Sequence, residues 1–187
     1  HFLQNALMSI KVLCRTRPKE AEQAVYDFAV FLRGNMNALE SAEMILFREE
    51  CKTIERYLHI EKMRFGERLQ VQWDLQEEKF QIPPLTIQPL VENAVCHGIC
   101  QKMEGGTVQI RSFRKNGEIC VQILDDGAGF DTEKLKDADG IAIRNLKLRL
   151  KEFLNADLEI ESRKGEGCRQ TIHIPWEETE DENYSDR

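Results

Sequence analysis

Val91-Glu92-Asn93-Ala94-Val95-Cys96-His97-Gly98 is the stretch on which the reading of this chain turns. On a helix its spacing puts Asn93 and His97 one turn apart, on the side that also carries Leu90 and Ala94. Further on, Asp125-Asp126-Gly127-Ala128-Gly129-Phe130 closes an apolar strand. A carboxylate at a strand end, as at Asp125, can accept a hydrogen bond from an exocyclic amine such as that of adenine. Gly127 and Gly129 would let backbone approach a ligand. Gly140-Ile141-Ala142-Ile143-Arg144-Asn145 then opens a helix, whose free N–H groups and dipole favour a phosphate. Magnesium takes hard oxygen ligands and often only one or two protein groups beside substrate phosphates, so the Asn93 amide oxygen is enough to hold one. Taken singly, each motif also has an ordinary structural reading: a helix Asn bonding backbone, an Asp-Gly turn, a glycine helix cap.

Around these motifs the chain divides by texture. Residues 1–66 read as helical, 67–176 as mixed, and 177–187 as a disordered acidic tail. Leu3, Leu7, Ile10 and Cys14 share one helical face. Thr16-Arg17-Pro18 breaks that helix and restarts another, with Ala21, Ala24, Val25, Phe28, Ala29 and Leu32 as its stripe. A further break is expected over 34–42. Phe47, Cys51, Ile54, Leu58 and Phe65 form a third stripe, which Gly66 ends. Strict alternation over 69–75 predicts a half-buried strand. A helix is expected over 87–97, with Pro89 in its first turn or at a kink. Strands over 107–113 and 118–124 flank Asn116-Gly117, a strong hairpin signal. A helix over 141–154 should turn Leu146, Leu150 and Phe153 inward, and strands over 158–162 and 168–174 close the chain. The class is α+β: a helical piece, then a sandwich with a mixed, mostly antiparallel sheet and helices on one face.

Composition narrows the function. The 187 residues carry a formal charge of −7 and are 41% hydrophobic, enough to bury a proper core. The tail holds six acids and one Arg, a net −5, which leaves −2 for the rest. There is no basic stripe of the kind nucleic-acid binding needs. The six cysteines, at 14, 51, 96, 100, 120 and 168, lack framework spacing and fit reduced, buried thiols in a cytosolic compartment. Cys96, His97 and Cys100 could bind zinc, but no second ligand pair accompanies them, and two core cysteines flanking a pocket histidine is the plainer reading. No apolar run reaches membrane-spanning length and no signal peptide is present. A chain that begins on a helical pattern reads as a fragment, so this absence says little about the parent protein.

In their order, the motifs resemble the GHKL-type ATP-binding fold, specifically the sensor histidine kinases of the LytS–YesM type. Residues 91–98 look like that family's N box, Asp125 to Gly129 like its first glycine box, and Gly140 to Asn145 like its second. Gly165-Glu166-Gly167-Cys168 and Thr171-Ile172-His173-Ile174-Pro175 resemble its closing strand. His1-Phe2-Leu3-Gln4-Asn5 looks like its phosphoacceptor box, and Tyr57, Leu58, Ile60, Glu61, Arg64 and Phe65 like its linking helix. The resemblance reaches from His1 to Trp176.

It implies that Asn93 holds Mg²⁺, that Asp125 reads adenine, and that Gly127, Gly129, Gly140, Ala142, Arg144 and Asn145 line phosphates and a short lid over 131–139. It also implies His97 in the pocket, Thr171 reaching the adenine site through water, and a basic or positioning role for Glu92, for which a helix-surface residue is an equal alternative. His1 would be the phosphoacceptor, with Asn5 one turn on orienting its imidazole. The implied activity is ATP·Mg²⁺-dependent autophosphorylation of His1, then phosphoryl transfer to an aspartate of a response regulator. The implied setting is a homodimer, as the cytoplasmic domain of a membrane-anchored parent. The chain departs from the pattern at Ala142 (usually glycine), Cys168 (usually threonine), Gln4 and Met8, and no acid follows His1. The alternative is a GHKL module that binds nucleotide and phosphorylates nothing. A topoisomerase- or chaperone-like ATPase would need a longer chain with a transducer domain.

Overall fold

The structure, a computed structural model, describes residues 2–40, 43–131 and 141–176. His1, Gly140, most of the expected lid and the acidic tail lie outside the described residues.

The chain begins with a helical hairpin, α1 (Phe2–Thr16) and α2 (Pro18–Glu40), with Pro18 in the first turn as expected. α2 runs straight through Gly34 to Glu40, so most of the expected break over 34–42 is helix, and its last two positions lie outside the described residues. A short strand β1 (Ile45–Leu46) leads into α3 (Phe47–Phe65). Gly66, at φ +59°, ends α3 and donates its N–H to the Lys62 carbonyl. The later elements are β2 (Leu69–Leu75), β3 (Gln81–Ile82), α4 (Gln88–Asn93), β4 (Gly106–Lys115), β5 (Glu118–Asp125), α5 (Ile141–Leu154), β6 (Asp157–Arg163) and β7 (Gly167–Pro175).

Five strands form one sheet in the order β2-β4-β5-β7-β6. Only β2 and β4 run parallel, so the sheet is mixed and mostly antiparallel. Asn116 and Gly117 take φ of +54° and +76°, the geometry a two-residue hairpin needs between β4 and β5. β1 pairs with β3 beside this sheet.

One large core forms where α3, α4 and α5 cover the sheet. It joins Phe47, Ile54 and Tyr57 of α3 to Leu90 of α4, Ile110 and Ile123 of the sheet, and Leu150 of α5. The hydrophobic core therefore does not part at Gly66. The β1–β3 pairing, and Phe47 stacked on Phe80 at 4.6 Å, bind α3 to the sheet-bearing half of the chain. A second, small cluster of Ile10, Leu13, Ala21 and Ala24 holds the α1–α2 hairpin. His59 of α3 meets Asp27 of α2 at 2.6 Å, and Phe2 packs against Phe31 and Tyr57.

Three expectations about faces need correction. α1 buries Ala6, Ile10 and Leu13, while Leu3, Leu7 and Cys14 are exposed. Its apolar residues exceed one stripe, and the stripe that meets α2 is the neighbouring one. On α2 the buried positions are Ala21, Ala24, Asp27 and Phe31, with Val25 exposed. On α5, Leu146 and Leu150 are buried but Phe153, in the last turn, is exposed.

Candidate nucleotide site

The helix that carries Asn93 is short, and other elements shape it. Pro89 lies in its first turn, as expected, and lacks an N–H that would need a partner. Thr86 donates its hydroxyl to the Pro83 carbonyl at 2.5 Å, bracing the approach. After Asn93 the helix widens into a π-helical turn over Ala94–Gly98, then a 3-10 turn over Ile99–Gln101. The expected single helix over 87–97 is thus a regular turn followed by a widened one. Such π turns recur at functional sites because they re-aim side chains. Gln170 of β7 reaches across and donates its amide to the Leu90 carbonyl at 3.2 Å, just where the helix changes register. Val91 and Leu90 face the core, fully buried, while Asn93 is half-buried and His97 exposed.

Both of the latter line a cavity of about 440 Å³, a size that suits a small ligand. Its other walls are Ala94 and Gly98, Asp125, Gly129 and Phe130, Ile143 of α5, Ile160 of β6, and Cys168 and Gln170 of β7. The cavity is mostly apolar with a few convergent polar groups, as planar heterocycles require.

Asp125 is the charged group of that cavity and is buried. Its Oδ1 accepts the Gly127 N–H at 2.9 Å. Burial pushes its carboxyl from 3.8 up to about 6, with the Asp126 charge adding and the Gly127 N–H opposing. Asp126, next in the chain, does different work. Its Oδ1 accepts the Thr107 N–H at 2.7 Å, and its carbonyl accepts from Lys102 Nζ at 2.8 Å. Asp126 fixes the turn, and Asp125 is left to face the cavity.

The two glycines of this turn have separate reasons. Gly129 takes φ +57°, and a Cβ there would lie 2.0 Å from the Arg163 carbonyl oxygen. Gly127 has no positive φ and does not line the cavity. A Cβ at Gly127 would stand 2.3 Å from the Gly98 carbonyl carbon, and one at Gly98 2.4 Å from Asp125 Oδ1. The expectation that Gly127 offers backbone to a ligand is therefore corrected: it is bare so that turn and helix can touch.

The remaining expected residues divide. Ala142, Arg144 and Asn145 are exposed in the first turns of α5, and it is Ile143 between them that lines the cavity. Thr171 is corrected outright. Alternation along β7 sends Cys168 and Gln170 to the cavity side and Thr171 to the other face, where its hydroxyl accepts from Gln122 Nε2 at 3.2 Å. Glu92 does not line the cavity and accepts from Gln88 Nε2 at 2.7 Å. Burial raises its carboxyl, and that of nearby Glu61, above the ordinary range. Asn5 is half-buried on α1 and outside the cavity lining.

All six cysteines are free. Cys96 faces Tyr57 at 3.9 Å, away from the cavity that His97 lines. Burial, with the Asp125 charge beside it, pushes the Cys168 thiol up to about 12. Among the described residues one group has mixed metal-ligand chemistry: Glu118, Cys120 and His173, on the face of the sheet away from the cavity. There the His173 ring lies between Glu118 at 3.0 Å and Glu159 at 3.4 Å, with the Cys120 Sγ at 3.9 Å.

Sequence reasoning passed over Gln170, Phe130, Ile143 and Ile160 as site residues. Strand alternation counted from Asp125 through its register partner Cys168 puts Gln170 on the site face and Thr171 off it. The donor set suits the groups expected here. Asn93 offers one hard oxygen at the cavity, as Mg²⁺ bound chiefly by phosphates and water needs, and Asp125 offers a buried acceptor among apolar walls for a heterocyclic amine.

Comparison with known proteins gives the same direction. The family described as Histidine kinase matches residues 1–69, and the family described as Histidine kinase-, DNA gyrase B-, and HSP90-like ATPase matches residues 84–178. The uncharacterised protein YwpD of Bacillus subtilis (strain 168) is 34% identical over 96% of this chain and 67% of its own length. Sensor histidine kinase BtsS of Escherichia coli (strain K12) is 33% identical over 94% of this chain and 31% of its own length. The chain spans about a third of the named sensor kinases it matches. In fold it is similar to the histidine kinase domain from the Erythrobacter litoralis EL346 blue-light activated histidine kinase, with a TM-score of 0.54 at 20% identity, over 67% of this chain and 60% of that one. Among the described residues no helix is long and apolar enough to cross a membrane. With relatives named LytS and YesM among its matches, the chain belongs to the sensor histidine kinases of the LytS–YesM type, a family of ATP-dependent protein histidine kinases built on the GHKL fold.

Proposed function

We propose that this chain is the kinase core of a two-component system, in which ATP·Mg²⁺ bound in the α4–β5–β7 cavity phosphorylates the imidazole of His1. The single observation that carries the site is the buried Asp125 carboxylate at the same cavity as Asn93 and His97. Asp125 accepts the adenine amine, and the apolar walls of Phe130, Ile143 and Ile160 flank the ring. Asn93 holds Mg²⁺, which when bound neutralises phosphate charge. A neutral imidazole nitrogen attacks the γ-phosphorus, ADP leaves, and the imidazole proton goes to solvent or a base. An unperturbed imidazole titrates near ~6.5, so the neutral nucleophile is available at neutral pH. Catalysis is then chiefly positioning and charge neutralisation. Gly140, Ala142, Arg144 and Asn145 belong to the lid end of this site, and Asn5 orients His1.

The phosphoryl group then passes to an aspartate of a response regulator. The exposed apolar face of α1, with Leu3, Leu7, Met8 and Val12, supports pairing with a second copy in the parent protein. That parent is read as membrane-anchored, with this part on the cytoplasmic side, as the family resemblance implies; relatives such as BtsS are about three times as long as this chain. Incubation with γ-labelled ATP and Mg²⁺ tests the reading. Label that is lost in acid, stable in base and absent from His1→Gln supports it. Tight ATP binding without any label would turn the assignment to a non-catalytic nucleotide-binding module.

A further inference from the structure

Three elements far apart in the sequence meet at one carboxylate. Glu50, in the first turn of α3, is 2% exposed. Its Oε1 accepts the N–H groups of Ile87 at 2.5 Å and Gln88 at 3.0 Å, at the start of α4. A helix N-terminus leaves its first N–H groups without intrahelical partners, and a side chain just before the helix usually takes them. Here the capping position is Ile87, which has no polar atom to offer, and α4 makes no side-chain cap of its own. The inventory then closes. Ile87 and Gln88 donate to Glu50, Pro89 has no N–H, and Leu90 and Val91 donate to the Ile87 carbonyl at 3.0 and 3.1 Å. The cap of the nucleotide-site helix comes from the helical segment 37 residues upstream.

Glu50 and the Arg149 side chain of α5 are each left with an open atom. The second oxygen of Glu50, Oε2, is buried without a hydrogen-bond partner, as is Nε of Arg149. The Arg149 charge acts on the Glu50 carboxyl, and the Arg149 guanidinium donates to the carbonyl of Leu85. Leu85 takes φ +58°, a conformation that a branched side chain adopts at a cost. The approach to α4 is thus clamped twice, by Arg149 at Leu85 and by Glu50 at Ile87 and Gln88. Burial pushes the Glu50 carboxyl up to about 7, so the fold carries a penalty to keep this group here.

We propose that Glu50 is a positioning residue for the phosphoryl-transfer site: from α3 it fixes the start of α4, so that Asn93 stays aimed at the cavity, with Arg149 of α5 as its counter-charge. This rests on the reading that Asn93 holds Mg²⁺. It makes the start of α4 the point at which the helical segment and the lid-side helix α5 both bear on the metal end of the nucleotide site. The adenine end is carried by Asp125 at the tip of β5, on a different element from the one that Glu50 caps.

That separation supplies the test. ATP affinity is measured with and without Mg²⁺ in wild type, Glu50→Ala and Glu50→Gln. Glu50→Ala should leave Mg²⁺-free affinity within about threefold of wild type while the enhancement by Mg²⁺ shrinks about tenfold. Glu50→Gln keeps an acceptor oxygen for the two N–H groups and should restore most of the enhancement. A general loss of stability would weaken both affinities together, and that outcome overturns the proposal, as does full Mg²⁺ enhancement in Glu50→Ala. Should Glu50→Ala not fold, amide exchange in wild type decides. Ile87 and Gln88 N–H groups as protected as those of Leu90 and Val91 support the cap, and exchange at solvent rates rejects it. Wild type that binds ATP with no Mg²⁺ enhancement overturns the Asn93 reading and this proposal with it. A normal wild-type enhancement that Glu50→Ala leaves intact removes this proposal alone.

Discussion

The α1–α2 hairpin and the α3–sheet body use the same apolar residue types and finish to different degrees. The body closes a core in which Phe47, Ile54, Ile110 and Leu150 are all fully buried, from helices and the sheet's centre alike. The hairpin closes only a cluster of Ile10, Leu13, Ala21 and Ala24, and leaves Leu7, Met8, Val12 and Tyr26 more than half exposed. A single copy is therefore enough to build the candidate nucleotide cavity, whereas it leaves the hairpin with apolar surface to spare. The lesson is about division of labour. Nucleotide binding should be independent of protein concentration, and whatever depends on the hairpin face should not.

Core substitutions break or uphold this comparison with the largest expected effect. Ile54→Ala removes a buried side chain from the body and should cost about 2–5 kcal/mol in urea unfolding. Leu7→Ala, on the open face, should cost less than about 0.5 kcal/mol in dilute protein. It should instead weaken self-association in sedimentation at high concentration. Equal costs for the two variants would mean that the hairpin face is covered in solution.

Next in size is the body's own site. Asp125→Asn should weaken ATP binding by about 1.5–3 kcal/mol, because the amide can present its NH₂ to the adenine amine where the carboxylate accepted. Affinity for the triphosphate should fall at every protein concentration tested. An unchanged affinity in a folded variant would remove Asp125 as the base reader.

A smaller effect comes from the same carboxylate. Burial lifts it from 3.8 to about 6, so in the free protein it is ionised at pH 8 and largely protonated at pH 5. ATP affinity should drop about tenfold between those values, and Asp125→Asn should flatten that limb. The stability effect has the opposite sign. Because the folded-state value is raised, the fold binds the proton more tightly than the unfolded chain, so the Asp125 contribution to stability is present at low pH and is lost as pH rises from about 4 through 6. ATP affinity that stays flat while apo stability changes as stated would detach the carboxylate from the ligand.

How much of this was legible in the sequence differs between the same two regions. In the body, local chemistry forces most elements: the Asn116-Gly117 turn, Gly66 ending α3, and strict alternation over 69–75 all stand where the pattern puts them. In the hairpin the pattern is ambiguous, because α1 has apolar residues around most of its circumference. Periodicity then shows a helix without showing which stripe meets α2, and the stripe of Leu3, Leu7 and Cys14 proved exposed. At the site, the motif residues Asn93, His97, Asp125 and Gly129 do line one cavity. Contacts made across the fold were not legible. Glu50 capping α4 and Gly127 packing on Gly98 arise from tertiary approach, and nothing nearby in sequence announces them.

The smallest effect separates two neighbours on β7. Thr171 was expected at the site and Gln170 was not, yet the strand turns them to opposite faces. Gln170→Ala removes the donor to the Leu90 carbonyl, where α4 passes into its π turn, and should cost about 1 kcal/mol of ATP affinity, near fivefold. The loss acts through helix register: the Leu90 carbonyl then keeps only the Ala94 N–H, and the turn that aims both Asn93 and His97 is less defined. Thr171→Val keeps the shape and gives up a bond only to Gln122, which is partly exposed and can bond water, so affinity should change by less than about twofold. Titration of ATP against both variants settles which face is the site. Loss of affinity in Thr171→Val with none in Gln170→Ala would reverse the assignment of faces and restore Thr171 to the pocket.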